Sequence, residues 1–237
     1  TAVIFGLFSL PLFIRVREPA GAPLPRPGWG EAWRDLRATL ADTRRFPGVG
    51  RFLLANFLIL DAIHTIIVFM AVYAEKVVGL PDSAKAAFFM LATIPAVIGS
   101  FASGWLADRI GARRVFLATA WLWVAAPLVV AVFPAVPVFY AMGAVIGLLL
   151  GSLWTSTRPF LLSLVPAGEE GRVFGLYALC NKSAAVIGPQ IWGLTVLLGA
   201  PLGTDRYRLA IVILALVTAA GAFLLRKVPE RRLAPPA

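Results

Sequence analysis

Six apolar segments, at about 52–78, 85–107, 115–133, 137–162, 173–200 and 207–225, constrain this 237-residue chain more than any other feature. Each is long enough to cross about 30 Å of hydrocarbon at about 1.5 Å per residue, the third only just. Inside a bilayer every backbone N–H and C=O needs an internal partner, and a helix supplies them all within one segment. Composition agrees: 59% of the residues are hydrophobic and 14% charged. Mean hydropathy is +0.84, well outside the range of soluble domains. The expected fold is an all-α membrane protein with a six-helix transmembrane domain over residues 51–226.

The flanking regions read differently. Residues 1–16 are apolar up to Arg15, too short for the roughly 20 residues that a span needs, so they read as the end of a transmembrane helix whose beginning is missing. A cleaved signal peptide fits poorly, because its positive charges would precede the apolar run. Residues 17–50 form a linker rich in proline, glycine and arginine. Within it, 31–46 has helical periodicity, with Trp33, Leu36 and Leu40 on one stripe. That is the pattern of an amphipathic helix at a membrane surface, or of a plain linker helix beneath the bundle. Residues 227–237 are expected to form a cytoplasmic tail.

The formal net charge is +10, but no basic stripe interleaved with aromatics appears, and nucleic acid is not an expected partner. The cations follow membrane topology instead. With the linker placed in the cytoplasm, only Lys76, Lys85, Arg206 and Arg208 fall on the opposite side, while Arg158 and Lys182 fall within spans. All the rest of the 22 lysines and arginines then lie on the cytoplasmic side, as the positive-inside rule requires. A bias toward Ala, Gly, Arg and Pro points to a bacterial source and hence to the inner membrane. Cys180 is the single cysteine, which excludes an intrachain disulfide and leaves zinc without a ligand set. Neither a metal nor a cofactor is expected.

Ionisable groups inside a span are costly unless paired or facing a wet cavity, so they carry most of the chemical information. Asp61 and His64 are three residues apart and share a helix face, with Thr65 beside them. Asp61 lies ten residues beyond Arg51 and Lys182 ten beyond Arg172, so both sit about 15 Å deep, near the midplane. One expectation is that Asp61 and His64 exchange a proton with a central cavity, while Lys182, beside Asn181, binds an anionic group or modulates the acid. The other is a permanent Asp61–Lys182 ion pair, with His64 a neutral hydrogen-bonding partner. Arg158 enters from the far side near Pro137, and helix length places it close to the cytoplasmic surface, where it is expected to pair with Asp108. Prolines at 95, 127, 159 and 189 invite bends. Gly143, Gly147 and Gly151 repeat every fourth residue, a smooth face for close helix contact.

The loop Gly104-Trp-Leu-Ala-Asp108-Arg109-Ile-Gly111-Ala-Arg113-Arg114, between two spans, resembles the loop signature of the major facilitator superfamily of secondary transporters. The segment 52–80, with Asp61-Ala-Ile-His64-Thr65, is similar to the seventh helix of the vacuole-effluxer (autophagy-related) transporters and their bacterial relatives within that superfamily. Ser156-Thr157-Arg158-Pro159-Phe160, and Phe174-Gly175-Leu176-Tyr177 through Lys182 to Gly188-Pro189, look like the family's tenth and eleventh helices. Phe8-Ser9-Leu10-Pro11-Leu12-Phe13 resembles the end of its sixth. The loop departs from the superfamily pattern at Ala112, and His64 stands where an amide is expected.

This resemblance implies the C-terminal half of a twelve-helix transporter: a six-helix half-bundle plus the end of the preceding helix, rocking against a missing N-terminal six-helix half. It implies a gating role for Asp108, Arg109, Arg113 and Arg114; in the same loop Gly104 allows close packing and Gly111 the tight turn, and Arg158 joins this gating set through its expected pairing with Asp108. The expected function is alternating-access transport of a small-molecule substrate, with amino acids a candidate, and the expected partners are that substrate, the lipid bilayer and the missing half. A six-helix scaffold acting by association is the alternative. No metalloprotease helix, nucleophile elbow or phosphate loop accompanies Asp61, His64 and Lys182, so an enzyme is not expected.

Overall fold

The computed structural model describes residues 48–165 and 168–229 together with Gly30. The expectations for the truncated helix at 1–16, for the linker up to residue 47 with its 31–46 helix, and for the tail from residue 230 lie outside the described residues.

Proline and glycine decide where the helices stop. Helix α1 (Val49–Tyr73) runs on through a π-helical turn, Ala74–Val78, to Gly79, whose φ of 79° ends it. Helix α2 (Asp82–Ile110) begins directly after Pro81, and α3 (Ala112–Val132) follows across Gly111 alone, at φ 95°. Only glycine adopts such a φ without strain, which is what makes this turn so short. Helix α4 (Val136–Leu164) carries Pro137 in its first turn, where the missing N–H costs nothing. Then come α5 (Glu170–Ser183), α6 (Ile187–Leu198), a 3-10 turn (Ala200–Leu202) and α7 (Asp205–Arg226).

Among the described residues there is no strand, and α1 with its π turn, α2, α3, α4 and α7 are each long and apolar enough to cross a membrane. The chain is an all-α, multi-pass membrane protein. The segment read from sequence as one span over 173–200 is instead two shorter helices, α5 and α6, separated at Ala184, Ala185 and Val186. Pro189 favours the break. In a continuous helix it would leave the Ala185 carbonyl without its donor and press its ring against that carbonyl. Pro95, Pro127 and Pro159 stay inside unbroken helices.

Lipid solvates apolar side chains as well as protein does, so close fit rather than hydrophobicity holds such helices together. The glycine stripe of α4 provides it. A Cβ on Gly147 would strike the carbonyl of Ala92, one on Gly151 that of Ala96, and one on Gly143 the ring of Phe88. The backbones of α2 and α4 therefore touch. Phe52, Phe116 and Phe160 meet where α1, α3 and α4 converge, with ring centroids 5.2 to 6.3 Å apart. Helix α7 packs between α1 and α3, while α5 rests on α1, and α6 on α1 and α7.

Two arginines fasten opposite ends of this core. Arg113 Nε donates to the carbonyl of Val228 (3.0 Å), just beyond α7, and Nη2 to that of Arg226 (2.9 Å), the last residue of α7. Arg208 at the other end of α7 donates from Nε to Ala131 O (2.6 Å) and from Nη2 to Val132 O (3.2 Å), at the C-terminus of α3. Each guanidinium satisfies terminal carbonyls that no helical turn can reach and complements the negative end of the helix. Tyr73 adds a fifth such bond, its hydroxyl donating to Val130 O at 2.9 Å.

Candidate functional site

The break between α5 and α6 exposes backbone groups that helices normally hide. The first N–H of α6, at Ile187, has no partner within its own helix, and the preceding Val186 has no side chain able to cap it. Asp61 of α1 fills the gap: its Oδ1 accepts from Ile187 N at 3.1 Å. A carboxylate at a helix N-terminus also complements the positive end of the helix dipole. On the other side of the break, His64 Nδ1 lies 3.0 Å from the carbonyl oxygen of Ala184. A carbonyl can only accept, so Nδ1 carries the proton and donates. One turn of α1 thus holds both severed ends of the interrupted helix.

The sequence permits this contact through two neighbours. Gly188 lets α6 approach, since a Cβ there would collide with Thr65 Oγ1 and come within 2.9 Å of Asp61 Oδ2. Thr65 Oγ1 donates to the Asp61 carbonyl at 2.7 Å and keeps its own hydroxyl satisfied. Asp61 and Thr65 are both only 1% exposed.

His64 also lines a cavity of about 340 Å³, together with Leu60 of α1, Trp154, Thr157 and Arg158 of α4, and Tyr177 and Asn181 of α5. Asn181 is positioned by Asn56, whose Nδ2 donates to Asn181 Oδ1 at 2.9 Å. Thr157 donates back along α4 to Leu153 O, the local bond that hydroxyls make in helices. Arg158, exposed and on the cavity lining, has neither an ion pair nor a hydrogen bond among the described residues, so its guanidinium donors are uncommitted among them. Trp154 also lines a second cavity of about 320 Å³, walled mainly by apolar groups such as Ile66, Met70, Phe88 and Phe139.

The structure sorts the residues singled out from sequence. It brings His64 and Asn181 to the cavity, while Asp61 and Thr65 are not among its lining and lie against α6. Lys182 is exposed, and among the described residues no Asp61–Lys182 ion pair forms, so the expected pairing is absent. The expected Asp108–Arg158 pair is absent among them too. Asp108 is exposed beyond α2's last buried turn, and Arg158 joins the cavity instead. In the basic loop, Arg109 stacks over the Trp105 ring at 3.8 Å, Arg113 reaches the end of α7, and Gly104 lies 3.6 Å (as a Cβ) from Thr155 of α4. Arg114 is exposed. Sequence reasoning missed Tyr177, Trp154 and Thr157 as cavity residues. For the first two, the spacing of four residues to Asn181 and to Arg158 was the available signal.

A family profile described as "Vacuole effluxer Atg22 like" matches residues 1–234. Among curated relatives, Autophagy-related protein 22 of Coccidioides immitis is 28% identical over 227 residues, covering 85% of this chain and 36% of that protein. Autophagy-related protein 22-1 of Aspergillus niger is 28% identical over 236 residues, covering 89% and 37% respectively. Autophagy-related protein 22-2 of Aspergillus clavatus is 27% identical over 240 residues, covering 89% and 38%. The chain spans little more than a third of the length of these fungal relatives, and the profile match runs through every helix just described. By that match the chain belongs to the Atg22-like vacuole effluxer family.

Proposed function

We propose that this chain forms one half of a secondary transporter for small solutes, amino acids foremost, working by alternating access. The observation that carries the reading is a polar cavity placed directly against an interrupted helix. Broken helices in carriers put backbone ends beside the substrate and give the bundle a place to bend. Here His64 belongs to both features. Movement of α6 against α5 changes the Ala184 contact and therefore the ring that lines the cavity.

On this reading the exposed apolar face of α2, with Met90, Ile94, Phe101 and Trp105, is covered by a second six-helix half and by lipid. The basic residues Arg109, Arg113 and Arg114, with Asp108, act at the cytoplasmic gate. The membrane is the bacterial inner membrane, a placement that rests on composition. Asp61 and Thr65 belong to the moving parts, and Lys182 serves at the edge of the pathway.

The test is flux. Full-length protein in proteoliposomes should accumulate members of a radiolabelled amino-acid panel, and an imposed proton gradient should drive that accumulation. Absence of flux for every solute tried, with protein shown to be folded, contradicts the carrier reading and favours the scaffold.

A further inference from the structure

The hydrogen-bond pattern fixes which atoms of the cavity can give a proton and which can only receive one. His64 Nδ1 donates to Ala184 O, so in the neutral ring Nε2 is a bare lone pair, an acceptor. Asn181 has its Oδ1 occupied by Asn56, which leaves its Nδ2 hydrogens as donors. The Thr157 proton is used within α4. The Tyr177 hydroxyl makes no hydrogen bond among the described residues and is available to donate. Arg158 contributes a planar, permanently charged fork with no partner among them.

We infer that this cavity takes the head group of a zwitterionic solute, the carboxylate on Arg158 and the ammonium on His64 Nε2. The inference rests on the carrier reading and assigns the substrate's charged ends to named atoms. A guanidinium matches a carboxylate with two parallel N–H···O bonds, and the amide of Asn181 lies on the same cavity to add a third. An ammonium offers three donors and no acceptor, so it needs a lone pair. Ala184 makes His64 present one. A ring free to choose its tautomer would not discriminate in this way. The cavity's volume of about 340 Å³ admits a small amino acid's head group without help from Lys182, which lies outside the lining.

The experiment is isothermal titration of full-length protein with two matched sets of probes. Alanine is compared with propionate, which lacks the ammonium, and with ethylamine, which lacks the carboxylate. Leucine is compared in the same way with 4-methylpentanoate and 3-methylbutylamine, and inorganic phosphate serves as a control anion. The expected result is that a zwitterion binds at least about tenfold more tightly than either of its single-headed counterparts, the scale of one lost charge-assisted bond. Arg158→Gln should lose that advantage over the amine, and Arg158→Lys, a point charge without the fork, should retain only part of it. If Arg158→Gln fails to fold, the wild-type probe series and the lysine variant decide the matter.

A wild-type protein that transports solute yet binds the amine or the carboxylate alone as tightly as the zwitterion overturns the head-group assignment while leaving the carrier intact. The assignment is equally overturned if Arg158→Gln binds zwitterions like wild type, if phosphate displaces them all, or if solute is carried with no zwitterion bound. Protein that neither binds nor transports any solute overturns the carrier reading and the inference with it.

Discussion

Asp61 Oδ1 and the backbone N–H of Ile187 stand 3.1 Å apart, joining the middle of α1 to the first residue of α6 across 126 positions of sequence. Hydrogen bonds to a charged group contribute about 1.5–3 kcal/mol, and this one closes a helix end that its own chain leaves open. Asp61→Ala should therefore lower stability by about that amount, while Asp61→Asn, which keeps a neutral acceptor, should lose less. Thermal unfolding in nanodiscs checks the order wild type, Asn, Ala. Equal melting of the alanine variant and wild type would show that α6 does not depend on this carboxylate.

The glycine stripe makes a sharper prediction. Gly151→Val brings a side chain onto the Ala96 carbonyl, and the clash cannot be relieved without moving a helix backbone. Overpacking of this kind costs about 1–3 kcal/mol or more, and it should appear as loss of monodisperse protein or a clearly lower melting temperature. Gly175→Ala is the matched control. Nothing lies within 4 Å of a Cβ there, and alanine favours the helix by up to about 1 kcal/mol, so its stability should hold or rise. Similar melting for both variants would contradict the contact between α2 and α4.

Arg113 and Arg208 lie near opposite ends of α7, and each donates to two terminal carbonyls. Alanine at either position should cost at least about 1–3 kcal/mol, the usual net value of these two bonds, with the Arg208–Asp205 pair adding little at an exposed site. The two losses should add to within about 0.5 kcal/mol, because the carbonyls that the two guanidinia hold lie at opposite ends of α7. A double-mutant cycle in denaturant reads this directly. Strong coupling between the sites would mean that α7 shifts as a rigid rod rather than being fastened independently at each end.

The parts that can be read from sequence are those governed by length and period. Segments at 52–78 and 137–162 appear as the long helices α1 and α4 because crossing hydrocarbon demands an apolar run of that size. The stripe Gly143, Gly147, Gly151 is visible because small residues every fourth position let helices in a bilayer approach closely. Gly188-Pro189 is visible as well, but sequence alone does not say that the helix parts rather than bends. That outcome depends on Asp61 and His64 being present on another helix to satisfy the severed ends, a tertiary fact.

Arg158 and Lys182 show the other limit. Counting residues gives depth along a helix but not direction around it. Asn181 lines the cavity and Lys182 does not, although they are neighbours, because one residue turns a helix by about 100°. By depth alone Lys182 is the natural partner for Asp61. The same count assigns Arg158 to Asp108, yet its side chain joins His64 and Asn181 on the cavity wall. Locating a charge near a midplane is a matter of arithmetic; pairing it requires the packing of three helices.

The most direct test of the interrupted helix as a moving part is proton-gradient-driven flux through the Asp61→Asn protein in proteoliposomes, measured beside its melting temperature. Flux should fall at least tenfold or so, the scale of a lost charge-assisted bond, while the protein stays folded, because the interrupted helix loses its charged hold on α1. Flux equal to wild type, from protein equally well folded, would contradict that role.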